Sequence, residues 1–247
     1  YFSDVSMDGD GTVVNWSWSF GDGTNSFDQH PTHIYQTAGD YMIYLNITDD
    51  DGAVNSTFTT LSISSKMISV NISLVEEWNL VSIPLNESMN KNSIQVMYDQ
   101  MNHTWTEAVN DGIILDFVYG WNSSGQTYET TDILEPGDGY WIYAYNNSNL
   151  WVSGSRDDED DFITDLSVEW NLIGLPSDEP VAKENLTVMF NGTIYNWSDA
   201  VFNNIVLDFI YGWNASGQTY ETTELLLTGK AYWLYAYEKC TLFRSGS

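Results

Sequence analysis

Basic residues are scarce in this chain. Seven Lys and Arg stand against 35 Asp and Glu, a formal net charge of −28. Charge of that sign repels nucleic acid and anionic membrane surfaces, so neither is expected as a partner, whereas divalent cations are attracted. Cysteine is all but missing: Cys240 stands alone, and no disulfide closes within the chain. Histidine is limited to His30, His33 and His103, and no HExxH, CxxC or GxSxG pattern occurs. No apolar run reaches the ~18 residues that a membrane-spanning helix needs. No leader segment is evident and the first residue is Tyr1, so a mature product or part of something longer is expected.

What the chain does have is apolar and aromatic side chain, at 43% and 15% of its residues, enough for packed cores rather than disorder. It also has a duplication. Residues 116–131, DFVYGWNSSGQTYETT, return as 208–223, DFIYGWNASGQTYETT, with fourteen of sixteen positions identical. The same offset of 92 residues pairs Trp78-Asn79-Leu80 with Trp170-Asn171-Leu172, and Tyr140–Tyr145 with Tyr232–Tyr237. Cys240 falls opposite Ser148, so the repeated fold does not need its thiol. Copies of one unit make length and surface more readily than a single catalytic cleft.

Three segments follow: 1–65, a first repeat at 66–157 and a second at 158–247. In the first segment, Asn15 to Phe20 alternates with Trp16, Trp18 and Phe20 on one face. Tyr41 to Thr48 alternates again, with Ile43 and Leu45 inward and Asn46 outward. Both read as half-buried strands separated by Gly/Asp turns. The stretch Trp18-Ser19-Phe20-Gly21-Asp22-Gly23, followed by Tyr35, Gly39 and Tyr41, resembles the PKD domain, whose signature is Trp-Asp-Phe-Gly-Asp-Gly. The resemblance implies an immunoglobulin-like β-sandwich over nearly all of 1–65. The family's first strand normally begins a few residues before the position of Phe2, so that strand is expected either clipped or continued upstream.

Each repeat opens on a strand (Trp78 to Pro84, Trp170 to Pro176), has a second apolar stretch (Ile94 to Tyr98, Leu186 to Phe190), then a β-branched and aromatic strand, the YWIYAY strand and a short closing strand. Asn191-Gly192 is a strong hairpin signal, and Asp99-Gln100 is a poorer version of it. The fold class is therefore all-β: an immunoglobulin-like sandwich followed by two small β-barrels or sandwiches, each with room for one short helix. The pattern WNLVSIPL…PGDGYWIYAY…LWVSG resembles a module of archaeal and bacterial surface proteins. The second repeat departs from it where Pro136 and Gly139 become Thr228 and Ala231. That resemblance implies S-layer, sheath or filament proteins, and no known activity goes with it.

Twelve of 22 asparagines sit in Asn-x-Ser/Thr acceptors: Asn15, Asn46, Asn55, Asn71, Asn86, Asn102, Asn122, Asn146, Asn185, Asn191, Asn196 and Asn214. The excess predicts an extracellular, N-glycosylated chain. No cofactor is required, and calcium is the ligand the acidic loops suit: Asp8 and Asp10, Asp49 and Asp51, and the run Asp157, Asp158, Asp160 and Asp161 at the joint between repeats. The joint run reads equally as a solvated linker. Asp116 and Asp208, equivalent in the two copies, are candidates for a duplicated acid or for structural carboxylates. The rows Trp141, Tyr143, Tyr145 and Trp233, Tyr235, Tyr237 share one strand face, as core, as an interface or as a platform for sugar rings.

A structural, non-catalytic subunit of a cell-surface assembly is the first functional expectation, its partners being copies of itself or other surface proteins. An adhesion or carbohydrate-binding module of a larger secreted protein is the second. Intact mass before and after enzymatic deglycosylation of protein from a glycosylating host tests the compartment. A mass loss spread over several acceptor sites is expected, and an unchanged mass counts against it.

Overall fold

A computed structural model describes the chain except residues 36–37, 64–65, 157–162, 176, 178 and 245–247. It divides into two compact units, Tyr1–Lys66 and Met67–Ser247.

The first unit holds β1 (Val13–Ser19), β2 (Asn25–Ser26), β3 (Gly39–Asp49) and β4 (Val54–Ile63) in an antiparallel sheet ordered β2-β1-β3-β4. The expected alternation is present. Trp18, Ile43 and Leu45 are buried with Phe20, while Met42, Tyr44 and Asn46 face water. Phe2 and Tyr35, from segments outside the sheet, pack on this core. The signature turn is held by its own atoms. Asp22 accepts from the Thr24 backbone N–H (2.9 Å) and hydroxyl (2.7 Å), and pairs with His33 (2.6 Å). These contacts, Thr24 first, draw the Asp22 carboxyl down to about 2. Gly21 has φ +83, and a Cβ there would lie 2.8 Å from the Met42 carbonyl, so glycine is required.

The second unit contains both repeats. The first comprises β5 (Lys66–Leu74), β6 (Glu77–Ser82), β7 (Met89–Asn90), β8 (Gln95–Tyr98), β9 (Met101–Thr104), α1 (Trp105–Asn110), β10 (Ile114–Asn122), β11 (Thr127–Thr131), β12 (Ile133–Leu134), β13 (Gly139–Ala144) and β14 (Ser148–Arg156). The second comprises β15 (Ile163–Leu166), β16 (Glu169–Gly174), β17 (Val181–Ala182), β18 (Leu186–Phe190), β19 (Thr193–Asn196), α2 (Trp197–Phe202), β20 (Ile210–Asn214), β21 (Thr219–Thr223), β22 (Leu225–Leu226), β23 (Ala231–Ala236) and β24 (Cys240–Arg244). In each, one four-stranded sheet (β11-β10-β13-β6 or β21-β20-β23-β16) packs on another (β5-β14-β8-β9 or β15-β24-β18-β19). Between them lies a core of its own, around Trp105, Ile142 and Leu150 in the first repeat and Trp197, Leu234 and Leu242 in the second. Cys240 sits in that second core, and burial pushes its thiol up to about 11.

Local chemistry explains the elements. The hairpins β8–β9 and β18–β19 turn on Asp99-Gln100 and Asn191-Gly192, all four residues at positive φ. A capping box of Thr104 and Glu107 starts α1, and Asn196 caps α2 by accepting from the Asp199 N–H.

The repeats differ from the expectation in one respect: they are not separate bodies in a row. The outer face of the β6/β13/β10 sheet also carries large apolar residues, because YWIYAY places aromatics on both faces. Tyr140, Ile142 and Ala144 enter the repeat's own core, while Trp141 turns to the other repeat. Leu80, Trp141, Leu172, Ala231 and Trp233 form a third core shared by the two. Backbone groups join them as well: Ser82 N–H donates to the Gly229 carbonyl (3.1 Å) and Gly174 N–H to the Gly137 carbonyl (2.8 Å). Each bond is the other's equivalent at the repeat offset, so the seam has a pseudo-two-fold axis. Residues on that axis meet their own counterparts. A Cβ on Gly139 would lie 2.6 Å from that of Ala231, and a Cβ on Gly174 would lie 2.2 Å from that of Ser82. One member of each pair must therefore do without a side chain.

The variant Gly174→Ala is expected to destabilise this unit by about 1–3 kcal/mol through overpacking, lowering the melting temperature by about 2–4 °C per kcal/mol. Adding Ser82→Gly should restore part of the loss in a thermal melt. An unchanged melting temperature for the single variant would refute the on-axis constraint.

Candidate binding site at the seam between the repeats

The duplicated sixteen-residue motif forms the hairpin β10–β11 and its copy β20–β21, and its tip reaches into the other repeat. Trp121 Nε1 donates to the Trp170 carbonyl (2.8 Å), and Trp213 Nε1 to the Trp78 carbonyl (2.8 Å). Gln126 and Gln218 pair with the same backbone units. Each donates to the carbonyl (2.9 and 3.0 Å) and accepts from the N–H of Trp170 or Trp78 (3.2 and 3.3 Å). These carboxamides act as peptide groups completing a ladder across the seam.

Trp141 and Trp233 are 8% and 7% exposed. Each meets an indole of the other repeat at nearly a right angle, Trp141–Trp213 at 83° and Trp121–Trp233 at 84°, with centroids 4.9 Å apart in both pairs. Their own Nε1 atoms find no hydrogen-bond partner. The Trp233 N–H is near enough to Tyr220 to influence its hydroxyl, but not in hydrogen-bond geometry; burial first, then Tyr128, raises the pKa of that hydroxyl.

Two pockets of equivalent lining flank the seam. Trp78, Tyr119, Tyr128, Trp141 and Trp213 line an open hollow of about 380 Å³. Trp170, Tyr211, Tyr220, Trp233 and Trp121 line another of about 390 Å³. The walls stand edge to face: Trp78 makes 88° with Trp141 and 63° with Tyr119, and Trp170 makes 88° with Trp233 and 62° with Tyr211.

Among the residues singled out from sequence, the YWIYAY aromatics thus divide. Trp141 and Trp233 are in the intramolecular seam. Tyr143 and Tyr235 pack on Trp78 and Trp170 (5.2 Å each), and Tyr145 and Tyr237 are exposed. They form no flat row, since the other repeat covers the tryptophans. Trp78, Tyr119, Trp121, Tyr128 and Gln126 escaped the sequence reading as site residues, although their near-perfect duplication was visible.

Asp116 and Asp208 each pair with a buried lysine. The buried ammonium of Lys91 meets Asp116 (3.0 Å) and Asp132 (2.9 Å), and Trp105 Nε1 donates to Asp116 (3.2 Å). Lys183, Asp208, Glu224 and Trp197 repeat the arrangement. Burial opposes the charge on Lys91, but Asp132 and Asp116 outweigh it and raise its pKa. Lys91 in turn holds the Asp116 carboxyl below its ordinary value, opposite to what a proton-donating acid needs.

Of the loop acids, Asp49 Oδ1 is taken up by the Asp51 and Ala53 N–H groups (3.1 and 2.7 Å), and Asp50 accepts from Thr12 N–H (2.9 Å). Partial desolvation first, then the charges of nearby Asp10 and Asp49, raise the Asp8 carboxyl. Among the described residues no group of three or more His, Cys, Asp or Glu is arranged to hold a metal. Asp157, Asp158, Asp160 and Asp161 lie outside the described residues. Asn15, Asn46, Asn55, Asn71, Asn86, Asn102, Asn185, Asn191 and Asn196 are exposed, while Asn122, Asn146 and Asn214 are half-buried. The amides of Asn122 and Asn214 donate to Glu129 (2.8 Å) and Glu221 (2.7 Å), and that of Asn196 to Asp199 (2.8 Å). No described helix is long and apolar enough to cross a membrane.

Comparison with known proteins places the first unit. Residues 2–63 match the PKD domain family, and this segment is a PKD domain. The chain is 39% identical over 61 residues to collagenase ColQ1 of Bacillus cereus strain Q1, covering 25% of this chain and 6% of that protein. To collagenase ColA of Clostridium perfringens it is 26% identical over 172 residues, 58% of this chain and 16% of that protein. A crystal structure of the PKD1 domain of Vibrio anguillarum Epp shares 41% identity over 24% of this chain and 70% of that one, with a TM-score of 0.24. The chain spans only a small part of the length of these curated relatives.

The seam separates two kinds of indole. The variant Trp213→Phe strips one of two partners from the Trp78 carbonyl, Gln218 keeping the other, and should cost about 0.5–1.5 kcal/mol. Trp141→Phe removes an N–H without an acceptor and should cost less. Chemical denaturation of both variants checks the order, and equal losses would contradict it.

Proposed function

We propose that this chain is a non-catalytic, extracellular binding segment of a larger protein, a PKD domain joined to a fused repeat pair that holds its target at the seam pockets. One observation carries the reading: two solvent-open pockets lined by five equivalent aromatic residues each, built on one compact unit of two packed sandwiches. Small-molecule sites are concave, mostly apolar and largely preformed, and both pockets fit that description. The exposed Asn-x-Ser/Thr acceptors and the similarity of the PKD domain to parts of collagenases support an extracellular setting.

The second reading, a subunit of a surface array, sheath or filament, draws its support from the duplication itself and from nine exposed acceptor asparagines. It expects partners that are further copies of the chain or other surface proteins.

Tryptophan emission distinguishes the two. A panel of neutral saccharides, organic cations and aliphatic alcohols is titrated into the chain. At least one class should shift the emission saturably, and the double variant Trp78→Ala/Trp170→Ala should abolish the shift while keeping the parent's circular dichroism. Silence across the panel, with ordered lattices or fibres in electron micrographs of the parent, would replace binding with assembly.

A further inference from the structure

The seam pockets also indicate what they bind, an inference that rests on the binding reading above. Their lining is wholly aromatic: Trp78, Tyr119, Tyr128, Trp141 and Trp213 in one, and the five equivalents in the other. No carboxamide, carboxylate, ammonium or guanidinium side chain lines either pocket among the described residues. The two indole N–H groups most able to serve a ligand, those of Trp121 and Trp213, already donate to backbone carbonyls across the seam. Those of Trp141 and Trp233 are covered by protein. Tyrosine hydroxyls and the indole N–H groups of half-buried Trp78 and Trp170 are what remains for hydrogen bonding, few donors for a polyhydroxylated ligand.

That inventory works against a sugar. Several hydroxyls would lose water on entry and find few partners, and buried unpaired polar groups are costly. It suits a solute with no N–H or O–H to satisfy at its buried end. A quaternary ammonium is such a group. Its charge is spread over its methyl groups, and aromatic faces attract that charge through their quadrupoles. Walls near right angles bound the space on several sides, which matches a tetrahedral head better than a flat ring. The chain's net charge of −28 concentrates cations around it and disfavours anions.

We propose that each pocket binds a trimethylammonium group carried by a small choline-like solute, one in each half of the seam. The pockets are equivalent residue for residue, so two sites of similar affinity are implied.

The test uses the whole chain at constant ionic strength. Choline and tetramethylammonium are titrated while tryptophan emission and indole N–H resonances are followed. Glycine betaine, the neutral choline isostere 3,3-dimethylbutanol and a neutral hexose oligomer serve as comparisons. The expected result is saturation by two cations per chain. Choline should bind about tenfold or more tightly than the neutral isostere, as a partly desolvated cation–π contact implies. Betaine should be weaker than choline, because its carboxylate meets the acidic field. Tyr119→Leu and Tyr211→Leu should each remove one of the two sites. If either variant misfolds, the resonances of the parent count the sites instead. Equal binding of the neutral isostere, or binding of the saccharide without choline, overturns the cation assignment and leaves the pockets as binding sites. No response to any solute overturns both.

Discussion

The second unit depends on a self-contact. Two copies of one sequence lie face to face about a pseudo-two-fold axis, and whatever stands on that axis must fit against its own copy. Two identical side chains cannot occupy one point. The chain meets the constraint by breaking its symmetry at the axis: Gly139 faces Ala231, and Gly174 faces Ser82. Ser82 uses its hydroxyl there to donate to the Lys230 carbonyl (2.8 Å). The equivalent bond is missing in the other half because Gly174 has no hydroxyl to offer. Off the axis the demand reverses. Trp121 and Trp213 need the same long reach to the same acceptor, so the hairpins that carry them remain almost unchanged between the copies.

Much of this fold was legible in the residues, for reasons that can be named. Alternation in NWSWSF and YMIYLNIT reported a half-buried sheet because each face there has a single environment. Asn-Gly, Asp-Gln and Gly-Asp-Gly marked turns because positive φ restricts the residue types. The YWIYAY strands were ambiguous for the opposite reason. The inner face meets the repeat's own core and the outer face meets the other repeat at Trp141 and Trp233 but solvent at Tyr145 and Tyr237, so the row of aromatics read as core, interface or platform alike. Nothing local distinguishes a face that meets solvent from one that meets a distant copy. The clue lay in the degree of duplication. A loop that only closes a hairpin need not keep Trp, Gln and Tyr in register through both copies, but a loop that hydrogen-bonds the other repeat must.

The charged residues show a similar division. Against so large an excess of acid, the two buried lysines are placed where they do structural work. Lys91 and Lys183 each gather two carboxylates and a backbone carbonyl beside a buried tryptophan. An acid that the sequence left between a duplicated acid and a structural carboxylate is the acceptor for a buried cation. What sequence could not supply was that Asp116 is the exposed partner and Lys91 the buried one, since both lie in segments of mixed polarity.

The pockets follow from the same symmetry. An indole that crosses the seam to reach a carbonyl stands perpendicular to the indole it meets, and perpendicular plates leave a gap beside them. A two-fold seam makes that gap twice. The copies were free to diverge at the lining positions, as they did at the axis. Yet all five lining positions hold the same residue type in both halves, including Trp78/Trp170 and Tyr119/Tyr211, whose side chains make no hydrogen bond across the seam. Packing alone accounts for the tryptophans that bridge the repeats. Trp78 and Tyr119 do both: they pack on the shared core and also border the opening, the arrangement that the proposed binding role requires of them.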